Sequence, residues 1–175
     1  MKKLYFILVL IFLAQKCRAD LPIHCLKHHA VGVWTLSITT PSKVDNPYDF
    51  NCGHKSPDDP ATSYLAYVDE FVPKMNFSVT LKEDDSSTNE DFNGTWTMIY
   101  DEGLHIQLGP HRFTSFFQYF PDENNQVMCF CGKTVVGWYE NVDTGEKACF
   151  RAEKNIQSEE ERKSLFSRPL TQISI

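Results

Sequence analysis

Short segments rich in β-branched and aromatic residues, separated by polar turns, recur along most of this 175-residue sequence. Such segments favour β-strands, and Asp101-Glu102-Gly103 between two of them is a typical hairpin turn. Regular short strands with polar connections predict one all-β domain, either a sandwich or a barrel. The predicted strands are residues 31–38, 76–81, 95–100, 104–108, 112–120, 126–130, 134–140 and 147–152.

Three stretches interrupt this pattern. Residues 40–63 are rich in Pro, Asp, Asn and Gly, which predicts a long loop. Residues 83–93 are acidic and rich in Ser and Thr, which predicts an exposed, mobile loop. Residues 155–166 are charged and predict a helix, and the residues that follow to the end of the chain have no evident partner.

The aromatic strand at residues 112–120 offers two faces. We expect one face to lie in the core. Phe117 and Tyr119 share the other face, which we interpret as a packing surface for a partner chain.

The first 19 residues have the features of a secretory signal. Lys2 and Lys3 precede an apolar run at residues 4–14, and Ala19 is the small residue expected at a cleavage site. The run is shorter than the roughly 20 residues that a spanning helix needs. Cleavage would leave 156 residues that begin at Asp20, and would direct the protein into the secretory pathway.

Charge excludes two classes of partner. Removal of the signal takes four basic residues and no acidic one, so the formal net charge changes from −6 to −10. A chain this acidic is repelled by nucleic-acid phosphates and by anionic membranes. Two sequons, at Asn76 and Asn93, predict glycosylation at surface sites and agree with a secretory route.

Five cysteines remain after signal cleavage, an odd number. They predict two disulfides and one further thiol. Cys129 and Cys131 would point to the same face of a strand, so they compete for one partner. Two functional interpretations are open to these cysteines: zinc binding by Cys129 and Cys131 with a histidine, and nucleophilic catalysis by Cys129. We favour neither, and therefore predict no metal site and no catalytic residue. The five are Cys25, Cys52, Cys129, Cys131 and Cys149.

Gly32-Val33-Trp34 at the first strand of a secreted barrel resembles the lipocalin signature. It supports an alternative function, a secreted carrier of a small apolar ligand. The Thr-Asp-Tyr turn and the closing arginine that lipocalins usually add are not found.

The mature sequence resembles a more specific family, the exclusion domain of cathepsin C (dipeptidyl peptidase I). The resemblance covers residues 20–152, between the signal at 1–19 and a charged tail at 153–175. Its motifs, in order, are Asp20-Leu21-Pro22-Ile23-His24-Cys25, Gly32-Val33-Trp34, Asn51-Cys52, Thr97-Met98-Ile99-Tyr100-Asp101-Glu102-Gly103, Phe116-Phe117-Gln118-Tyr119, and Cys131 followed by Gly137-Trp138 and Ala148-Cys149-Phe150.

The resemblance implies a small antiparallel β-barrel of about eight strands, with disulfides Cys25–Cys131 and Cys52–Cys149. It implies that the barrel blocks the cleft of a papain-like cysteine protease beyond the second substrate pocket. Asp20 would bind the free amine of the peptide substrate, and the hairpin at residues 118–130 would form the wall. The protein would be lysosomal or secreted.

The chain departs from the complete family enzyme because it lacks a Cys-Gly-Ser-Cys-Trp nucleophile motif and the catalytic His and Asn. We therefore expect it to need a papain-like domain, in cis or in trans. The chloride of the complete enzyme depends largely on that domain, so we expect no cofactor here. A stand-alone cysteine protease inhibitor is a further alternative.

Overall fold

Side chains alternate between buried and exposed along the first strand, as expected where one face of a sheet is covered. In β1 (Gly32–Ile38), Trp34, Leu36 and Ile38 are fully buried, whereas Val33 is exposed. The same alternation recurs in several other strands, and their buried side chains meet in one shared core.

The computed structural model describes residues 23–43, 52, 71–121 and 127–167, and most of them lie in strands. The other elements, in chain order, are α1 (Lys27–Ala30), which precedes β1, β2 (Ser42–Lys43), β3 (Met75–Leu81), β4 (Ser86–Thr88), β5 (Asn93–Ile99), β6 (Gly103–Leu108), β7 (His111–Pro121), β8 (Val127–Thr134), β9 (Gly137–Asn141), β10 (Glu146–Lys154), α2 (Glu159–Ser164) and β11 (Phe166–Ser167).

Eight antiparallel strands close into a barrel, in the order β1, β3, β4, β5, β6, β7, β9 and β10. The barrel closes because β10 returns to β1, pairing Lys154 with Trp34 at one end and Phe150 with Ile38 at the other. Closure leaves no free edge within these eight strands. The prediction of an all-β fold with about eight strands is confirmed.

Large side chains fill the barrel interior. Trp34, Phe113, Phe117 and Phe150 are each at most 1% exposed, and the rings of Phe113 and Phe150 lie 5.2 Å apart. The indole N–H of Trp34 donates to the Ala30 carbonyl at 2.7 Å, so its burial leaves no unmet donor. An eight-stranded barrel is narrow enough for side chains to fill, and this one is a packed core.

β7 is long enough to serve two sheets. Residues 111–114 pair with β9 in the barrel wall. Residues 117–121 pair with β8, which is not one of the eight barrel strands. We call this second ladder, residues 117–121 with 127–134, the β7–β8 extension. The tip of the predicted hairpin, residues 122–126, lies outside the described residues.

The expectation of a partner surface at Phe117 and Tyr119 is wrong for Phe117. Strand alternation places Phe117 on the same face as Phe113, and its ring lies 6.4 Å from that of Trp34. Tyr119 follows on that face and packs, partly buried, against the core. The aromatic side chains of β7 therefore fill the molecule's own interior.

Two disulfides link distant parts of the chain, Cys25 with Cys131 and Cys52 with Cys149. Their cysteines are 106 and 97 positions apart in sequence. Closing a loop of that size removes chain entropy from the unfolded state, which stabilises the fold by about 4–5 kcal/mol per disulfide.

Two segments differ from their sequence predictions. The acidic stretch 83–93 contains a strand, β4, which pairs with both β3 and β5 and whose Ser87 hydroxyl donates to the Gln107 carbonyl at 2.9 Å. The predicted helix at 155–166 is only the six-residue α2, because the chain then returns to extended structure in β11. Most of the predicted loop 40–63 lies outside the described residues.

In the part of the chain that the structure describes, no helix combines the length and apolar character required to cross a membrane.

Candidate functional site

The chain enters the described structure at one end of the barrel, held against β8. We call residues 23–25 the N-terminal segment. Ile23 and Cys25 are 4% and 1% exposed, and Cys25 is covalently joined to Cys131 of β8. The segment is therefore part of the core at this end.

The turn between β5 and β6 holds the N-terminal segment from one side. The Asp101 carbonyl accepts the Cys25 N–H at 2.8 Å, and an Asp101 carboxylate oxygen lies 2.5 Å from His24 Nδ1. The turn is tight, since Tyr100 adopts a φ of 51°, in the left-handed region that favours glycine, and is 88% exposed. One residue thus contacts both the backbone and the side chain of the segment.

Strand β8 holds the segment from the other side. The His24 N–H points to Cys129 Sγ at 3.3 Å, and the thiol lies in neither disulfide. Burial raises the pKa of the Cys129 thiol above its ordinary value. A reactive cysteine needs a lowered pKa and exposure, so Cys129 has the environment of a structural residue rather than a nucleophile.

The C-terminal strand β11 completes the enclosure. Ser167 pairs with Cys129, and its hydroxyl donates to the His24 carbonyl. Both backbone groups of His24 are therefore bonded, the N–H to β8 and the carbonyl to β11. The position and direction of the chain at His24 are fixed from three sides.

A comparison with protein families identifies the family of the chain. Residues 20–154 match the family described as the cathepsin C exclusion domain. The chain belongs to the cathepsin C exclusion domain family. The match begins at Asp20, the residue that follows the predicted signal cleavage site, and ends with β10.

A curated relative of this exclusion domain is dipeptidyl aminopeptidase 1 of Plasmodium falciparum. The two are 27% identical over 217 aligned positions, which cover 93% of this chain and 30% of the relative. The chain thus spans about a third of the length of the curated relative it matches. Among solved structures, a family 43 glycoside hydrolase from Bacillus licheniformis covers 79% of this chain and 23% of its own, with 10% identity and a TM-score of 0.38, too low to support any conclusion.

The predicted amine-binding residue and the predicted disulfides of this exclusion domain fall in three places. Asp20 lies outside the described residues, three positions before Ile23. The disulfide Cys25–Cys131 lies at the N-terminal segment, and Cys52–Cys149 joins a separate point on β10.

The two sequons lie on the barrel surface at β3 and β5. Asn76 and Asn93 are both exposed. They lie on either side of β4, which pairs with both strands. Asn76 also borders an open groove of about 540 Å³, whose lining includes Glu90 and Asp91.

Sequence reasoning missed His24, Asp101 and Ser167 as parts of this site. The sequence places His24 and Asp101 in separate motifs of the family resemblance, and Asp101 also in a hairpin turn, but it predicts no contact between them. Among the described residues, no group of three or more His, Cys, Asp or Glu side chains has the arrangement of a metal site. What the site offers is a set of hydrogen bonds and a disulfide that hold the backbone of the N-terminal segment in place.

Proposed function

We propose that this chain forms the exclusion domain of a dipeptidyl aminopeptidase. It associates with a papain-like cysteine protease domain and fills the cleft beyond the second substrate pocket. Asp20, freed by signal cleavage, binds the protonated N-terminal amine of the peptide, so that the enzyme releases dipeptides.

The fixed N-terminal segment is the observation that carries this proposal. Residues 24 and 25 are bonded to the β5–β6 turn, to β8 and to β11. Three residues of extended chain span at most about 11 Å, so Asp20 stays within that distance of Ile23. The N-terminal segment itself lies at one end of the barrel, beside the β7–β8 extension.

The chemistry of the contact gives specificity for a free chain end. An α-amino group has a pKa of about 8 and is protonated at neutral or acidic pH. A carboxylate at the closed end of a cleft attracts that charge, and an acetylated peptide has no charge to offer. A chain that would continue past Asp20 toward its own N-terminus is rejected, because it leaves the desolvated carboxylate without a charged partner.

The filled barrel favours this function over the carrier. A carrier of an apolar ligand needs a cavity of a few hundred cubic ångströms. Here Trp34, Phe113, Phe117 and Phe150 occupy the interior.

Localisation in the secretory pathway, with delivery to the lysosome or to the exterior, is part of the proposal. The family match that begins at Asp20 and the exposed positions of Asn76 and Asn93 support it. Amino-terminal sequencing and mass analysis of the secreted chain would be expected to show Asp20 as the first residue and a glycan at each asparagine.

The function is tested by coexpressing the chain with the papain-like domain of a cathepsin C enzyme whose own exclusion domain has been deleted. The substrates are a heptapeptide with a free amine and its N-acetylated form, and the products are identified by mass spectrometry. We expect dipeptides from the free peptide, and little cleavage of the acetylated one.

Asp20→Asn removes the charge and keeps the shape, so it should lose most of the preference for the free amine. Asp143→Asn, in the exposed β9–β10 turn, is the matched control and should leave that preference unchanged. Internal cleavage that the chain does not alter would overturn the proposal, and loss of all cleavage would instead identify an inhibitor.

A further inference from the structure

A segment beyond the family match contacts the N-terminal segment directly. The match ends at residue 154, yet residues 165–167 pack on β8 next to His24. We call residues 165–167 the strap. Since it lies outside the matched region, its role does not follow from membership of the family.

Leu165 fixes the strap to β8. Its side chain is 1% exposed, and its carbonyl accepts the Cys131 N–H at 2.8 Å. A methyl group on Gly132 would lie 2.9 Å from the Leu165 side chain, so the absence of a side chain at Gly132 makes room for it. The strap thus lies in a fitted site rather than on an open surface.

An irregularity in β8 creates that site. Phe117 pairs with Thr134, but the next residue, Gln118, pairs with Phe130. Residues 131–133 are left without partners on β7. Cys131 bonds to the strap and to Cys25 instead, and Lys133 pairs with β10.

Helix α2 supports the strap from its other end. Ser158 caps the helix by accepting the Glu161 N–H at 3.1 Å, and Glu161 lies 3.5 Å from the buried amine of Lys154. The guanidinium of Arg162 lies over the Phe130 ring at 5.8 Å. The strap is therefore tied to both β10 and β8.

Three further contacts extend from the strap itself. Phe166 stacks on Phe130, with ring centroids 4.7 Å apart. The Ser167 hydroxyl donates to the His24 carbonyl and lies 3.7 Å from Cys131 Sγ. The strap thereby connects the β7–β8 extension to the N-terminal segment.

We propose that Ser167 is a positioning residue that holds the N-terminal segment at a fixed place relative to the β7–β8 extension. The inference rests on the proposed function, in which the extension is the wall and Asp20 binds the amine. The separation between the catalytic cysteine of the papain-like domain and the carboxylate that binds the amine sets the length of the released peptide, and Ser167 helps to keep that separation constant.

Hydrogen exchange of the chain from Asp20 to Ile175 tests the contact without any protease. Ser167→Ala removes one hydrogen bond, which is expected to raise exchange of the His24 and Cys25 amides roughly 2- to 10-fold. Ser167→Thr keeps the hydroxyl and should restore protection. Ser164→Ala is the control, because that hydroxyl donates only to Glu161 within α2. Equal exchange in Ser167→Ala and Ser164→Ala would overturn the inference.

Product analysis with the assembled enzyme distinguishes failure of the inference from failure of the proposed function. We expect Ser167→Ala to release a mixture of product lengths, whereas a merely structural role would lower every rate alike. If Asp20→Asn loses the preference for the free amine and Ser167→Ala still releases only dipeptides, positioning by Ser167 is refuted. If Asp20→Asn has no effect, the proposed function fails instead, whatever hydrogen exchange shows for Ser167.

Discussion

His29 illustrates how a single side chain makes this fold sensitive to acid. It is half-buried, and its Nδ1 accepts the Leu26 N–H at 3.0 Å. Burial, and then the nearby charges of His28, Lys154 and His24, lower the pKa of His29 from 6.5 to about 4. The folded protein therefore keeps His29 neutral over a range in which the unfolded chain protonates it.

We predict that stability falls as the pH decreases from about 6.5 to about 4, because the unfolded state binds a proton there that folded His29 does not. His29→Gln should flatten part of this slope in urea midpoints measured from pH 4 to 7. A residual slope should remain, since burial also lowers the pKa values of His105 and His111. His28→Gln removes one of the nearby charges that lower the pKa of His29 and should flatten the slope less than His29→Gln. A slope that His29→Gln leaves unchanged would contradict the assignment.

At the scale of single residues, the sequence predicted the placement of some side chains but not the contacts of others. Strand alternation predicted one face for Cys129 and Cys131, and both side chains are fully buried. The contact between His24 and Asp101 joins residues 77 positions apart. It depends on where the chain start crosses the end of the barrel, which no local pattern encodes.

Among the elements, β8 shows how an irregular strand satisfies its backbone. Of the three residues displaced by the register shift, Cys131 bonds to the strap and Lys133 pairs with β10 rather than with β7. Bulged residues of this kind often redirect a strand near a functional site.

Two glycine-to-alanine substitutions should distinguish a clash with a movable side chain from a clash with the backbone of a neighbouring strand. Gly132→Ala meets the end of the Leu165 side chain, which can shift, so we expect a loss of about 1 kcal/mol in the free energy of unfolding. Gly94→Ala places its methyl 1.8 Å from the Gln107 backbone oxygen in β6 and should lose about 3 kcal/mol or more. Urea denaturation measures both, and equal losses would contradict the distinction.

Element boundaries were predictable where polar turns flank the strands, as at the β5–β6 turn around Asp101. β4 was not predicted, because its three residues, Ser86–Thr88, are polar and gain strand structure from neighbours on both sides. The end of α2 was missed for a similar reason. Burial of Leu165 on β8 outweighs the helical tendency of the charged residues before it.

For the whole molecule, the two disulfides close loops of nearly equal length but differ in what they hold. Cys25–Cys131 attaches the N-terminal segment to β8, whereas Cys52–Cys149 joins another part of the barrel.

We predict that replacing both cysteines of either pair by serine lowers the free energy of unfolding by a similar amount, about 4–5 kcal/mol. Only loss of the Cys25–Cys131 pair should also reduce dipeptide release by the assembled enzyme, at temperatures where both variants stay folded. Urea denaturation and product analysis measure the two effects. Equal dipeptide release by the two variants would show that the covalent link does not position the segment.

The fold class followed from the spacing of strands and turns, but the order of strands did not. Closure depends on β10 pairing with β1 over more than 100 intervening residues, and on β7 being shared by two sheets. Such pairings are decided by the best packing of the whole core, with Phe117 buried beside Trp34.

The continuity of β7 has a mechanical consequence. One strand runs from the barrel wall into the extension, and Phe117, at the point where it leaves, is clamped in the core. The extension therefore behaves mechanically as a beam that is fixed at one end, because its base is buried in the barrel core. A load applied near Pro121 is carried along the backbone of β7 to Phe117 and from there into the core of the barrel. The stiffness of the β7–β8 extension near Pro121 is therefore set by the packing of the barrel core.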